Sequence, residues 1–99
     1  MNIQINAVRF DADSKLVNHV NKRLEKLTNF HDRIVSVEIY LKLDNIAHQI
    51  KDKIAEIRVR IPRHDSVGRH ESKSFEESFD LAFDSLVAQL KKQKERKIQ

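Results

Sequence analysis

The segment Lys91-Lys92-Gln93-Lys94-Glu95-Arg96-Lys97 places five basic side chains in seven positions. Positive charge at that density suits one chemistry above others, the displacement of counterions from a polyanion. At 100° per residue, Lys94 and Lys97 fall on the helical stripe that carries Phe79, Ala82, Phe83, Leu86 and Leu90 in the preceding turns. No core is therefore expected beneath that last turn, and the helix is predicted to run past its sheet with basic side chains all round. Acidic residues gather at the other end of the segment, at Glu76, Glu77, Asp80 and Asp84. That polarity alone is what a helix dipole favours, at a few tenths to about 1 kcal/mol per charge. The dipole does not call for so dense a basic run, so a polyanion contact is expected at the tip.

A second basic cluster lies earlier in the chain. Lys15, His19, Lys22 and Lys26 share the helical face opposite the apolar stripe Leu16, Val20, Leu24 and Leu27, with Arg23 on the flank. No acidic residue falls in that strip, whereas a merely solvated face usually mixes signs to limit repulsion. Two basic surfaces on one small domain suit a duplex-like or folded RNA. Its phosphates line a groove that lysines and arginines on two helices can bridge without reading bases.

Other chemistries find little support. Base stacking on an open sheet needs aromatic side chains there. Of six aromatics, five phenylalanines and one tyrosine, only Tyr40 is expected on that face. His64 and His70, flanking Asp65 in a predicted loop, match no metal-ligand spacing. The absence of cysteine removes disulfides, thiolate catalysis and the common structural zinc sites. A single glycine excludes a phosphate-cradling Gly-rich loop, and no serine, histidine and acid set has the context of a nucleophile. The expectation is a protein that is not an enzyme, with no catalytic residue, metal or cofactor, no small-molecule substrate, and RNA rather than DNA as its polyanion.

The elements that must position these residues follow from hydropathy patterning. With 99 residues, 39% hydrophobic and 34% charged, the chain suits one soluble domain with one modest core. Nineteen Lys and Arg against 15 Asp and Glu leave a formal charge of +4. No run reaches the roughly 18 apolar residues of a membrane span, and no signal sequence opens the chain, so a cytoplasmic protein with no membrane partner is expected. Asn2-Ile3-Gln4-Ile5-Asn6-Ala7 alternates at period two, as a strand does. From a cap at Asp13 or Ser14 the period changes to helical for about four turns, fading near Asn29. Val35, Val37, Ile39, Leu41 and Leu43 alternate with polar residues as a second strand, and residues 44–48 can turn the chain. Ala55, Ile57, Val59 and Ile61 form a third strand, ended by Pro62. A further turn is expected over 65–68, which holds the only glycine, and a weak edge strand over 69–73. Ser74-Phe75-Glu76-Glu77 is a capping box that opens the final helix.

The order is βαβββα, an α+β two-layer sandwich. The first crossover makes strands one and two parallel neighbours, strands two to four form an antiparallel meander, and both helices cover one face of the four-stranded sheet.

Several phrases, in this order, resemble the ribosome hibernation promoting factor and ribosome-associated inhibitor family, also known as sigma-factor modulation proteins. They are Met1-Asn2-Ile3-Gln4-Ile5, then Leu24-Glu25-Lys26-Leu27 running to Phe30, then Asp32-Arg33-Ile34. The nearest match is Ala82-Phe83-Asp84-Ser85-Leu86-Val87-Ala88-Gln89-Leu90-Lys91-Lys92-Gln93-Lys94. The resemblance spans nearly the whole chain and is to the short form, which lacks a second domain. It implies a fold shaped like a double-stranded RNA-binding domain over residues 1–99, with 91–99 as a basic helical end. It also implies binding to ribosomal RNA of the small subunit in the messenger and transfer RNA channel, where occupancy blocks translation and keeps ribosomes inactive under stress. By that resemblance Lys22, Arg23, Lys26, Lys91, Lys92 and Lys94 contact RNA; Lys15, Arg96 and Lys97 are added on charge. Asp80 stands where the family often carries an aromatic residue, and residues 63–78 depart most from the family pattern. The alternative readings are a general structured-RNA-binding module and a protein-docking regulator that uses the basic tail.

Overall fold

The computed structural model describes residues 2–44 and 52–97, with side chains described as far as Gln93 in the last helix. The turn expected over 44–48 falls almost wholly outside the described residues. Its ends are closed by the Asp44 amide donating to the Asp52 carbonyl at 2.8 Å.

The order is β1 (Asn2–Val8), α1 (Ser14–Leu24), a short 3-10 turn η1 (Leu27–Asn29), β2 (Ser36–Leu43), β3 (Lys53–Ile61), β4 (His64–Ser72) and α2 (Phe75–Lys97). Sheet order is β1-β2-β3-β4. β1 runs parallel to β2 in the register Ile3↔Val37 and Ile5↔Ile39. β2, β3 and β4 form the antiparallel meander, with Ile39↔Ile57 and Ile57↔Gly68 in register. The expected α+β sandwich is therefore the observed one.

Period-two patterning makes one sheet face apolar, and there the core closes. Val37, Ile39, Leu41, Ala55, Ile57, Val59 and Ile61 meet Leu16, Val20, Leu24 and Leu27 from the α1 region, and Phe75, Phe79, Ala82, Phe83, Leu86 and Leu90 from α2. Each large side chain fully removed from water contributes about 1.5–3 kcal/mol of transfer free energy. Phe10 joins from the β1–α1 connection and stacks on Phe75 with ring centroids 4.2 Å apart. Both helix starts are capped: Asp13 Oδ1 accepts from the Leu16 amide at 2.8 Å, and Ser74 Oγ accepts from the Glu77 amide at 3.1 Å, but the return half of the expected capping box is not made, because the Ser74 amide donates to Ser72 Oγ at 3.2 Å.

Three expectations are corrected. First, α1 spans 11 residues rather than four turns. Glu25 and Lys26 tighten, their amides donating to the Asn21 and Arg23 carbonyls at 3.1 Å, and η1 then swings Leu27 under the sheet. The apolar spacing continues through the break because a tightened turn still points Leu27 inward.

Second, the β3–β4 turn is Pro62-Arg63, not residues 65–68. Arg63 takes a left-handed φ of 69°, as the residue after proline does in a type II turn. Third, β4 is a full nine-residue edge strand rather than a weak one over 69–73, and it takes in His64 and Asp65, which were expected in a loop, together with His70. Its inward positions include Ser66, Gly68 and Ser72, all buried, so it shows no apolar alternation in sequence.

Small residues are required there because α2 lies hard against the strand. A Cβ built on Gly68 would stand 2.2 Å from the Ala82 carbonyl oxygen. The buried hydroxyls beneath are satisfied: Ser78 Oγ donates to the Lys53 carbonyl at 2.6 Å and lies 2.8 Å from Ser72 Oγ.

Candidate nucleic-acid interface

Topology decides where the basic residues meet. β1 and β2 are parallel, so α1 returns antiparallel to both. β4 runs the same way as β2, so α2 returns in the same direction as α1. The two helices lie side by side with their C-terminal ends together. Contacts step along them in register: the His19 ring meets Phe79 edge-on at 6.1 Å, Arg23 lies over Phe83 at 5.1 Å, and Lys91 Nζ sits 5.3 Å from the Phe30 ring centre beyond η1. Phe30 is fixed beneath that lysine, partly buried against the core. The next residue, His31, is buried and accepts the Arg33 amide on Nδ1 at 3.1 Å.

Lys22 and Arg23 lie in the last turn of α1, Lys26 follows in the tightened turn, and Lys91 and Lys92 lie in the last third of α2. Lys15, Lys22, Lys26, Lys91 and Lys92 are exposed. Lys22, Lys26, Lys91 and Lys92 thus share one end of the molecule, where both helix dipoles present their negative poles, whereas Lys15, in the first turn of α1, stands at the other end of that helix. Helix α2 continues through Lys97, but the side chains of Lys94, Arg96 and Lys97 lie outside the described residues, and the expected all-round basic tip with them. Beneath Gln93 the sheet is still present: Gln93 Nε2 donates to Ser66 Oγ and Gln89 Nε2 to the Val67 carbonyl, each at 2.7 Å. Any overhang of α2 past its sheet therefore begins after Gln93. These amides, with His64 and Lys92, line a surface cleft of about 360 Å³.

The α1 strip is not free of acid, as the sequence suggested. Asp80 reaches across from α2, and its Oδ1 lies 2.7 Å from His19 Nε2 and 3.0 Å from Arg23 Nε. His19 and Arg23 are half-buried in that seam rather than standing with the exposed lysines. Heptad-like spacing hides such a partner, because the acid lies 57 residues from the arginine it holds. The one sequence signal was Asp80 itself, placed beside Phe79 on the buried stripe.

The open sheet face contrasts with the helix ends. Its arginines are matched by carboxylates: Arg58 lies 3.6 Å from Glu56, Arg60 3.9 Å from Asp65 and Arg69 3.3 Å from Glu71. Tyr40 is on this face as expected, donating its hydroxyl to Glu38 at 2.8 Å. That hydrogen bond, burial and the Glu38 charge raise the phenol above its ordinary 10.0. On this face Lys42 has the Tyr40 ring, 5.7 Å from its Nζ, in place of a carboxylate, whereas Lys15, Lys22, Lys26, Lys91 and Lys92 on the helical layer make no ion pair among the described residues. Among the described residues no group of three or more ligating side chains is placed to hold a metal ion, and no helix is long and apolar enough to cross a membrane.

A four-stranded mixed sheet covered on one face by two parallel helices, with lysines converging at their C-terminal ends, defines a small α+β domain of the βαβββα class. The chain belongs to the Sigma 54 modulation protein / S30EA ribosomal protein family, whose model matches residues 3–98.

Among solved structures it is similar to a ribosomal subunit interface protein from Coxiella burnetii, at 26% identity and a TM-score of 0.82, with 95% of this chain and 98% of that one covered. It is also similar to the N-terminal domain of Protein Y from Thermus thermophilus, at 25% identity and a TM-score of 0.78, with 93% of this chain and 98% of that one covered. No curated protein matches it significantly.

Proposed function

We propose that this protein is a cytoplasmic, non-enzymatic translation inhibitor that binds ribosomal RNA of the small subunit in the messenger and transfer RNA channel and keeps ribosomes inactive. The observation that carries the reading is the convergence of exposed lysines at the common C-terminal end of two parallel helices, on a chain whose family, and one of whose structural relatives, is named for the ribosome. Lys15, Lys22, Arg23, Lys26, Lys91 and Lys92 neutralise backbone phosphates, and Lys94, Arg96 and Lys97 extend the contact along the final helix. Binding releases counterions and excludes the normal ligands by occupancy, so no bond need be made or broken. The one domain over residues 1–99 suffices for this role.

The test titrates the protein with small ribosomal subunits and with an RNA duplex of equal phosphate content, between about 50 and 200 mM salt. Binding through ~5 to 8 phosphates gives a log-log salt slope of roughly −4 to −7, with the subunit bound far more tightly than the duplex. Equal affinity for both would make this a general structured-RNA module. A flat salt response, or subunit binding unchanged by the combined K91E and K92E substitutions, would favour the protein-docking reading instead.

A further inference from the structure

Asp80 is at first sight a liability in a basic surface that must meet phosphate, since its carboxylate opposes the partner's charge. Its geometry gives it another use. A single oxygen, Oδ1, takes both His19 Nε2 at 2.7 Å and Arg23 Nε at 3.0 Å. The Arg23 guanidinium carbon lies 5.1 Å over the Phe83 ring. Phe83 is buried and itself packs against Phe79, with ring centroids 6.0 Å apart. The guanidinium is thus held at one nitrogen by a charge-assisted bond and on one face by an aromatic ring anchored in the core.

Guanidinium carries five N–H donors, and Asp80 uses only the one on Nε. The four on Nη1 and Nη2 make no hydrogen bond or ion pair among the described residues. They form the planar fork that matches two oxygens of a phosphate. The side chain keeps 34% of its exposure, so the fork is restrained without being buried.

We propose that Asp80 is a positioning residue for the RNA contact. By fixing Arg23 Nε against the Phe83 ring, it presents the Nη1 and Nη2 fork to a backbone phosphate already oriented. The inference rests on the RNA-binding reading above and deepens it. Ordering a rotamer-rich side chain during folding, rather than at association, spares the complex a loss of about twofold to tenfold in affinity. His19 completes the clamp from the previous turn of α1 by occupying the same oxygen, which keeps the carboxylate turned into the seam between the helices.

The test separates position from charge. Asp80→Asn and Asp80→Leu remove the same negative charge, but only the asparagine keeps an oxygen that can accept from Arg23 Nε. Affinity for small ribosomal subunits is measured at one ionic strength for both variants, in the wild-type background and with Arg23→Ala. The leucine variant is expected to bind about twofold to tenfold more weakly than the asparagine variant. That difference is expected to vanish when Arg23 is alanine. In parallel, the Arg23 Nε–H proton resonance is expected to stay resolved from the other arginines in D80N and to merge with them in D80L.

Thermal unfolding of each variant shows that the fold is kept. Asp80→Ser, with the same charge and too short to reach Nε, takes the place of leucine if D80L melts below the assay temperature. Equal affinities for the two charge-matched variants, or a difference that persists without Arg23, would overturn the proposal while leaving RNA binding intact. Failure of the wild-type protein to bind subunits would instead remove the functional reading, and the positioning role with it.

Discussion

Replacing Gly68 with alanine tests the packing that sets the two helices in place. In a strand interior alanine is ordinarily the better residue, by roughly 0.5–1 kcal/mol, because glycine loses more backbone freedom on folding. Here the added methyl would stand 2.2 Å from the Ala82 carbonyl oxygen, 3.1 Å from the carbon that bears it and 3.2 Å from Leu86 Cβ. A carbon and an oxygen in contact need roughly 1 Å more than that shortest separation. The obstacle is backbone, so no rotamer change relieves it, and α2 must move away from β4.

Movement of α2 loosens Phe79, Ala82, Phe83 and Leu86 together, all buried on the same face. Overpacking of this kind costs typically 1–3 kcal/mol, and a rigid partner places it at the upper end, about 3 kcal/mol. For a domain of this size that corresponds to a fall in Tm of roughly 12–24 °C. Thermal unfolding followed by far-ultraviolet circular dichroism measures it. Adding Ala82→Gly should not restore the loss, because the clash is with the main chain of residue 82. A G68A protein that melts at or above the wild-type temperature would refute the close approach of helix and strand, since strand preference alone predicts that sign.

Two further outcomes follow from local geometry. The chain has a single tyrosine and no tryptophan, so absorbance titration reads Tyr40 alone. Its midpoint should lie above the ordinary 10.0 and fall when Glu38 becomes glutamine. Because the folded value is the raised one, the stabilisation it reflects is present below the unfolded-state value and is lost as pH rises through the folded one. Arg63 holds a left-handed φ of 69° in the Pro62-Arg63 turn. Arg63→Gly removes about 1–2 kcal/mol of strain but adds unfolded-state freedom, so a net gain of roughly 0.5–1 kcal/mol is expected in denaturant unfolding.

Much was legible from local pattern. Period-two alternation marked β2 and β3 because each of these strands buries one face; it marked β1 as well, although there only Ile5 packs against the core. The caps at Asp13 and Ser74 were readable because a short polar side chain before an apolar stripe answers orphan amides whatever lies beyond it. The capping box also located α2, and the basic run at its end was plain in the residue order. β4 was nearly invisible, since its inward Ser66, Gly68 and Ser72 are small for the sake of α2, and that demand comes from a helix read later in the chain. The same blindness misplaced the glycine in a turn.

Charge shows the division most clearly. Composition and spacing determined that two helices would carry lysines and that the C-terminal one would end in a basic run, because charge and helical period are properties of consecutive residues. Only the tertiary structure decided that the two basic ends lie together. The parallel run of α1 and α2 follows from strand order and crossover, which no single segment encodes. It also decided that Asp80 enters the α1 strip. Salt bridges act at 2.7–3.0 Å in space, and here the partners stand 61 and 57 positions apart along the chain.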